Sequence, residues 1–189
     1  MKRLQERIIR EGRVLPVNMI NVDSFLNHQV DTRFLGELAD EFARRMDLTG
    51  VTKILTAEAS GIPLATICAY KLGVPMVFAK KVKGEMAEGT FYKSTIFSFT
   101  YQRPTTLFCS VDQINTQDKV LIVDDFLAGG QAIRGLIDIA SQAGAQVAGI
   151  AVAIEKGFQP GGDRLRSEGY RVESLAIVEK ADETGFTFR

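Results

Sequence analysis

Val120-Leu-Ile-Val123 runs without a polar break into Asp124-Asp125, and Phe126-Leu-Ala128 then leads to Gly129-Gly130-Gln131-Ala132. Four successive apolar residues suit a strand covered on both faces, the environment of a parallel sheet rather than of a half-exposed hairpin. From Gln131 the pattern turns helical, with Ile133, Leu136, Ile137 and Ala140 on one face and Gly144 as the stop. Strand, glycine-bearing loop and helix start make one βα unit. Unpaired amides and the dipole at such a helix start favour an anion.

The rest of the chain repeats this alternation. Met1 to Gly12 reads as a short helix with Leu4, Ile8 and Ile9 on one side, and Val14 to Val30 reads as irregular. Asp31 can cap a helix that places Phe34, Leu35, Leu38, Ala39, Phe42 and Met46 at helical spacing. Lys53 to Glu58 predicts a strand, Ala59-Ser60-Gly61 a turn, and Pro63 a helix start that runs to about Lys71 before Gly73. Val74 to Ala79 predicts a strand stopping at Lys80-Lys81, and Val82 to Ser94 shows no stable period. Thr95 to Tyr101 and Thr105 to Val111 predict two antiparallel strands turning near Arg103-Pro104. Gln146 to Ile154 predicts a strand, Gly161 to Gly169 a short helix, and Arg171 to Val178 a last strand. Such alternation predicts an α/β doubly wound, largely parallel sheet in one domain over 1–189. Ligands bind beyond the carboxyl ends of such strands. The turns after Glu58, Ala79, Val123 and Ile154 should therefore open on one edge.

The totals exclude more than they assign. Basic and acidic residues balance at 23 each, which argues against a general electrostatic grip on nucleic acid. No apolar stretch approaches a membrane span, and the charged Met1–Arg13 segment does not resemble a signal peptide. The two cysteines, Cys68 and Cys109, stand in apolar surroundings and read as buried thiols in a reducing compartment, so a cytoplasmic protein is expected. His28 has no second histidine to form a metal pair.

Asp124 and Asp125 can accept hydrogen bonds from vicinal hydroxyls, and amides from Ala128 to Ala132 can hold a phosphate; a ribose 5-phosphate offers both groups. For an isolated Asp-Asp pair a cap on the following helix is the better reading, and the downstream glycines change that balance. Neither Gly-Lys-Ser/Thr nor Gly-x-Gly-x-x-Gly is present, which removes the P-loop and the dinucleotide fingerprint.

The acids and loop resemble the phosphoribosyl-pyrophosphate signature of type I phosphoribosyltransferases. Val22-Asp-Ser-Phe-Leu-Asn-His-Gln-Val30 and Ile154-Glu-Lys-Gly-Phe-Gln-Pro-Gly161 resemble the xanthine branch of that family, and the similarity runs from about Leu15 to Leu175. The resemblance implies the type I fold with a mobile loop over 82–94 and a base-binding hood from 1–30 and 155–189. It implies transfer of phosphoribosyl from phosphoribosyl pyrophosphate to xanthine in purine salvage, with magnesium carried mainly by the substrate, in a homodimer. Asp124 and Asp125 would be the catalytic acids, and Ala128, Gly129, Gly130, Gln131 and Ala132 the phosphate loop. Ser60, Gly61, Lys80 and Lys81 would hold pyrophosphate, and Ile20, Asn27 and Lys156 the base, with Phe158 able to stack on it. Many type I enzymes carry Thr-Gly-Gly-Thr in the phosphate loop and this chain has Gly129-Gly130-Gln131-Ala132, without the hydroxyls, so backbone amides should supply most phosphate contacts.

Each of these residues has a plainer reading. The lysine pair is a solvated strand end, Ile20 a core residue, Asn27 a turn residue and Lys156 a surface residue. Two other functions stay open on sequence: a phosphoribosyl-pyrophosphate-sensing regulator, against which the short segment before the core counts, and preference for guanine or hypoxanthine.

Overall fold

The computed structural model describes residues 1–16, 19–82, 89–98 and 103–189. Part of the loop expected over Val82–Ser94, and the turn between the two expected antiparallel strands, fall outside these residues. The chain opens on α1 (Lys2–Glu11), a hairpin of β1 (Arg13–Leu15) and β2 (Met19–Asn21), and a π-helical turn at Asp23–Asn27, where the sequence suggested only irregular backbone. In α1, Leu4 and Ile8 lie one helical turn apart and are buried, whereas Ile9 is 61% exposed and does not share their face.

Helix α2 (Thr32–Arg45) starts where expected, the Asp31 carboxylate accepting a bond from Phe34 N–H at 3.1 Å. Then come β3 (Lys53–Ala57), α3 (Gly61–Leu72), β4 (Met76–Val82), β5 (Phe91–Ser98), β6 (Arg103–Ser110), β7 (Lys119–Leu127), α4 (Gln131–Gln142), β8 (Gln146–Lys156), α5 (Gly161–Ser167), β9 (Val172–Asp182) and β10 (Gly185–Phe188). Helix α3 closes on Gly73 at φ +68°, a conformation that favours glycine.

The main sheet has the order β10-β9-β8-β7-β3-β4-β6-β5. Its centre, from β9 to β4, is parallel, and both edges are antiparallel. The apolar core of β7 is 0–1% exposed from Val120 to Val123, as the uninterrupted run requires. Leu121 and Val123 join α2 and α3 in one apolar cluster, and Val120 and Ile122 join α4 in the other. Beyond the acids the phase reverses: Phe126 packs with the first cluster and Leu127 with the second.

Several boundaries differ from the sequence reading, β7 running past the acids to Leu127 and β8 to Lys156 among them. Strand β4 continues through Lys80 and Lys81, because antiparallel β6 supplies partners (Lys80↔Phe108, Lys81↔Leu107) beyond the point where β3 ends at Ala57↔Ala79. Strand β5 begins at Phe91, and Pro104 lies within β6 opposite Phe97 rather than in the turn. Strand β9 runs on to Asp182 and folds back as β10, which the sequence did not announce.

Two ties fasten the periphery. Helix α1 packs against β9 and β10, with the amino-terminal ammonium donating to Leu175 O, so the two ends of the chain form one flank. The Arg7 guanidinium pairs with Asp31 at 2.7 Å and lies 4.6 and 4.5 Å from the Phe25 and Phe34 ring centres, joining α1, the π-turn and α2. At the start of β7, Asp118 accepts from Lys53 Nζ (2.8 Å), Thr52 Oγ1 (2.9 Å) and Asn115 N (3.0 Å).

Candidate active site

Strand order reverses between β3 and β7: the chain leaves β3 towards β4 and leaves β7 towards β8 and β9. Parallel pairing puts the carboxyl ends of these strands on one edge, where a doubly wound sheet has its crevice. The loop from β3 to α3 and the loop from β7 to α4 therefore face each other.

Ser60 Oγ donates to Asp125 Oδ1 at 3.1 Å, and the Asp125 amide donates to Asp124 Oδ1 at 3.0 Å. The two acids are 6% and 4% exposed. A Cβ on Gly61 would stand 2.5 Å from Asp124 Oδ1 and 2.3 Å from Thr56 Oγ1, so only glycine lets α3 begin this close to the acid. The Thr56 hydroxyl is buried without a hydrogen-bond partner. The Glu58–Ala59 peptide is cis, and the Glu58 carboxylate accepts from Lys81 N–H at 2.5 Å, tying this loop to β4. Burial, then the neighbouring Asp125 charge, holds the Asp124 carboxyl well above the usual aspartate range, while the Asp125 amide and Lys81 pull the other way.

Past β7, Gly130 takes φ +82° as the residue before α4, which lets the backbone curl ahead of the helix start. Ala128 to Ala132 line a cleft of about 620 Å³ together with Lys81, Phe97 and Phe126. The backbone cradle and Lys81 share this cleft, and the buried carboxylates stand just before the cradle on the same strand, so together they can grip a ligand that carries hydroxyls and phosphate.

The phosphoribosyl transferase domain family matches residues 25–185 of the chain. This protein belongs to the phosphoribosyltransferase family. Over 188 residues, covering 100% of the chain, it is 47% identical to xanthine phosphoribosyltransferase of Acinetobacter baylyi (98% of that protein). It is 46% identical, over the same share, to xanthine phosphoribosyltransferase of Bacillus cereus (95% of that protein). Among solved structures, adenine phosphoribosyltransferase from Thermoanaerobacter pseudethanolicus superimposes with a TM-score of 0.73 at 26% identity, over 91% of this chain and 98% of that one. The expected type I phosphoribosyltransferase fold is thus present.

In this phosphoribosyltransferase the lysine pair is split. Lys81 faces the phosphate-loop cleft, whereas Lys80, its neighbour on a strand, points to the other side. Lys80 Nζ lies 5.9 Å from the Phe78 ring centre, in a separate pocket with Phe91 and Phe108.

The residues expected at the base lie on different elements. Ile20 in β2 is 5% exposed inside the apolar cluster. Asn27 ends the π-turn, which packs against α3, and its Oδ1 is buried without a partner. Lys156 ends β8 with Nζ 5.9 Å from the Phe126 ring centre, and burial lowers its ammonium pKa. Phe158 is 38% exposed. His28 is largely exposed, with Nδ1 3.8 Å from Asp23 Oδ2.

Sequence reasoning missed four contributors. Thr56 looks like any β-former in a strand, and the Glu58 side chain gives no sign that it reaches Lys81. Phe126 looks like core. Gly161, whose N–H donates to Ala128 O at 3.1 Å, left one signal: Gly161-Gly162 is a poor way to open a helix without a packing reason.

Proposed function

We propose that the protein transfers the 5-phosphoribosyl group from phosphoribosyl pyrophosphate to xanthine, giving xanthosine 5'-monophosphate and pyrophosphate in purine salvage. The observation that carries the phosphoribosyl part is the buried Asp124–Asp125 pair, bonded through Ser60 to one loop and continuous with the backbone cradle of the other. Full-length identity to xanthine enzymes supports the base.

In the reaction a purine nitrogen forms its bond to the anomeric carbon and gives up its proton. The carbon–oxygen bond to pyrophosphate breaks, with its electron pair leaving on that oxygen. Asp124 and Asp125 accept from the ribose hydroxyls and orient the sugar, while the amides of Ala128–Ala132 hold the 5-phosphate. Ser60, the Gly61 amide and Lys81 receive the pyrophosphate. Lys80 faces away from this cleft, so its pyrophosphate role requires the cleft of a second copy, in a homodimer. Ile20 and residues of the 1–30 and 155–189 flank form the base hood: the orphan Asn27 Oδ1 awaits a donor, and Lys156 donates to a ring carbonyl.

The donor set fits magnesium. Asp124 and Asp125 are two oxygen donors of the hard class standing together, which suits an ion that the substrate's own oxygens would mainly carry. Asp124 and Asp125 would hold the ion from the protein side, and when bound it neutralises charge on the leaving pyrophosphate. The buried thiols of Cys68 and Cys109, with pKa values pushed by burial to about 12 and about 11, are consistent with a reducing cytoplasm.

Pyrophosphate release measured with xanthine, guanine, hypoxanthine and adenine tests the assignment. Xanthine turns over fastest, and Lys156→Met lowers its kcat/KM by about tenfold or more while sparing any residual rate with adenine. Equal rates for all four bases would remove the xanthine assignment, and an unaffected Lys156→Met would remove Lys156 from the base site.

A further inference from the structure

Two loops that the proposed reaction assigns to different parts of the substrate touch through bare backbone. The Gly161 N–H donates to the Ala128 carbonyl at 3.1 Å. A Cβ on Gly161 would stand 2.1 Å from that oxygen and 2.7 Å from both Gly129 C and Gly130 N, and a Cβ on Gly130 would stand 3.3 Å from Gly161 Cα. Main chain packed this closely has no side chain to turn aside, so the phosphate loop cannot shift without carrying the start of α5.

The next glycine faces the opposite way. A Cβ on Gly162 would meet Glu155 Oε1 at 2.0 Å. Glu155 is 1% exposed and accepts both Arg166 amino groups, at 2.8 and 2.6 Å, as well as the Ser174 hydroxyl. Helix α5 is thus wedged between the phosphate loop and the residue that precedes Lys156. The intervening turn is itself fixed, Gln159 N donating to Lys156 O at 2.9 Å and Gly157 N to Val178 O at 2.8 Å. Two successive glycines open the helix poorly, with no local return.

We propose that Gly161 is a positioning residue that makes the phosphate loop and the Lys156 loop move as one body, so that filling the ribose-phosphate site tightens binding of the base. The inference rests on the assignment of Ala128–Ala132 to phosphate and Lys156 to the base. A coupling of this kind is worth about tenfold in affinity.

Hydrogen exchange on the wild-type chain with ribose 5-phosphate alone is the first measurement. Protection is expected at 128–132 and also at 157–163. Protection confined to 128–132 overturns the coupling while leaving the phosphate assignment standing; protection at neither removes that assignment, and the coupling with it. Calorimetric titration of xanthine with and without ribose 5-phosphate is the second. The sugar phosphate should tighten xanthine binding about tenfold in the wild type and in Asp163→Ala, a change on the exposed side of the same helix, and not in Gly161→Ala. Equal enhancement in Gly161→Ala, or none in the wild type, overturns the proposal. If Gly161→Ala does not fold, the wild-type exchange pattern decides.

Discussion

Asp124→Asn should make the protein more stable and less active. Asp124 is 6% exposed beside a second acid, and burial together with the Asp125 charge lifts its pKa. Each unit of such a lift is about 1.4 kcal/mol of preference for the neutral form. An asparagine is neutral at every pH, its carbonyl can still accept from Asp125 N, and its amide can donate to the Asp125 carboxylate. The gain at neutral pH is on the order of 1–2 kcal/mol, which for a chain of this length is a rise in Tm of roughly 2–8 °C. A carboxyl lifted in the folded state binds its proton more strongly there than in the unfolded chain. The stability it contributes is therefore complete below its ordinary value of 3.8 and lost as pH rises through the lifted one. The wild type should fall behind the variant as pH rises, and the two should converge in acid.

Thermal melts of both proteins across pH read the first effect, and pyrophosphate release with xanthine reads the second. Loss of a charge-assisted bond to a ribose hydroxyl should lower kcat/KM roughly 10- to 150-fold. A variant less stable at neutral pH, or a stability gap that ignores pH, would refute the claim that this end of β7 stores electrostatic strain. Full turnover by the variant would take Asp124 out of the site.

Two other substitutions probe the scaffold on either side. Gly61→Ala forces a methyl to within 2.5 Å of Asp124 Oδ1 and 2.3 Å of Thr56 Oγ1, and should cost about 1–3 kcal/mol in melts while raising KM for phosphoribosyl pyrophosphate. Asp118→Ala removes the acceptor of Lys53, Thr52 and Asn115 at the far end of β7 and should cost about 3–5 kcal/mol, with turnover per folded molecule unchanged. Burial pushes the Asp118 carboxyl up, and its hydrogen bonds from Lys53, Asn115 and Thr52 outweigh that and hold it low. Its contribution is thus present above its ordinary value of 3.8 and lost as pH falls through the lowered one, so the variant and the wild type should converge in acid denaturation series.

The parallel core was legible because Val120–Val123 and the strand from Gln146 are apolar on both faces, a pattern few environments accept. The turn from β7 into α4 was legible because Gly129-Gly130 frees the backbone, and Gly130 takes a positive φ there. What escaped depends on partners distant in sequence. The extension of β4 through Lys80 and Lys81 is set by β6, through its register with Phe108 and Leu107, and nothing in two lysines announces a strand. The separation of Lys80 from Lys81 follows at once when they are seen as strand neighbours, since alternate side chains face opposite ways. Ile9 was misplaced because it adjoins Ile8, whereas burial in a helix follows the three- and four-residue spacing. The strand β10 has only four residues, and its pairing exists because Thr184 and Asp182 close a turn back onto β9.

Asp118, just before β7, and Asp124, within it, are the same residue type in opposite electrostatic settings. Asp118 is surrounded by donors that were built into the fold, so its charge is settled before a ligand arrives. Asp124 has the Asp125 amide and a second carboxylate for company, with Thr56 Oγ1 orphaned close by. A buried acid stabilises a fold only where its partners outweigh desolvation, which holds at Asp118 and fails at Asp124. The deficit at Asp124 favours its neutral form in the free protein and leaves room for a ligand's donors to restore the charge. On the proposed function, ribose hydroxyls would supply donors and a divalent ion the missing positive charge, and a phosphoribosyl donor would bring both to this edge.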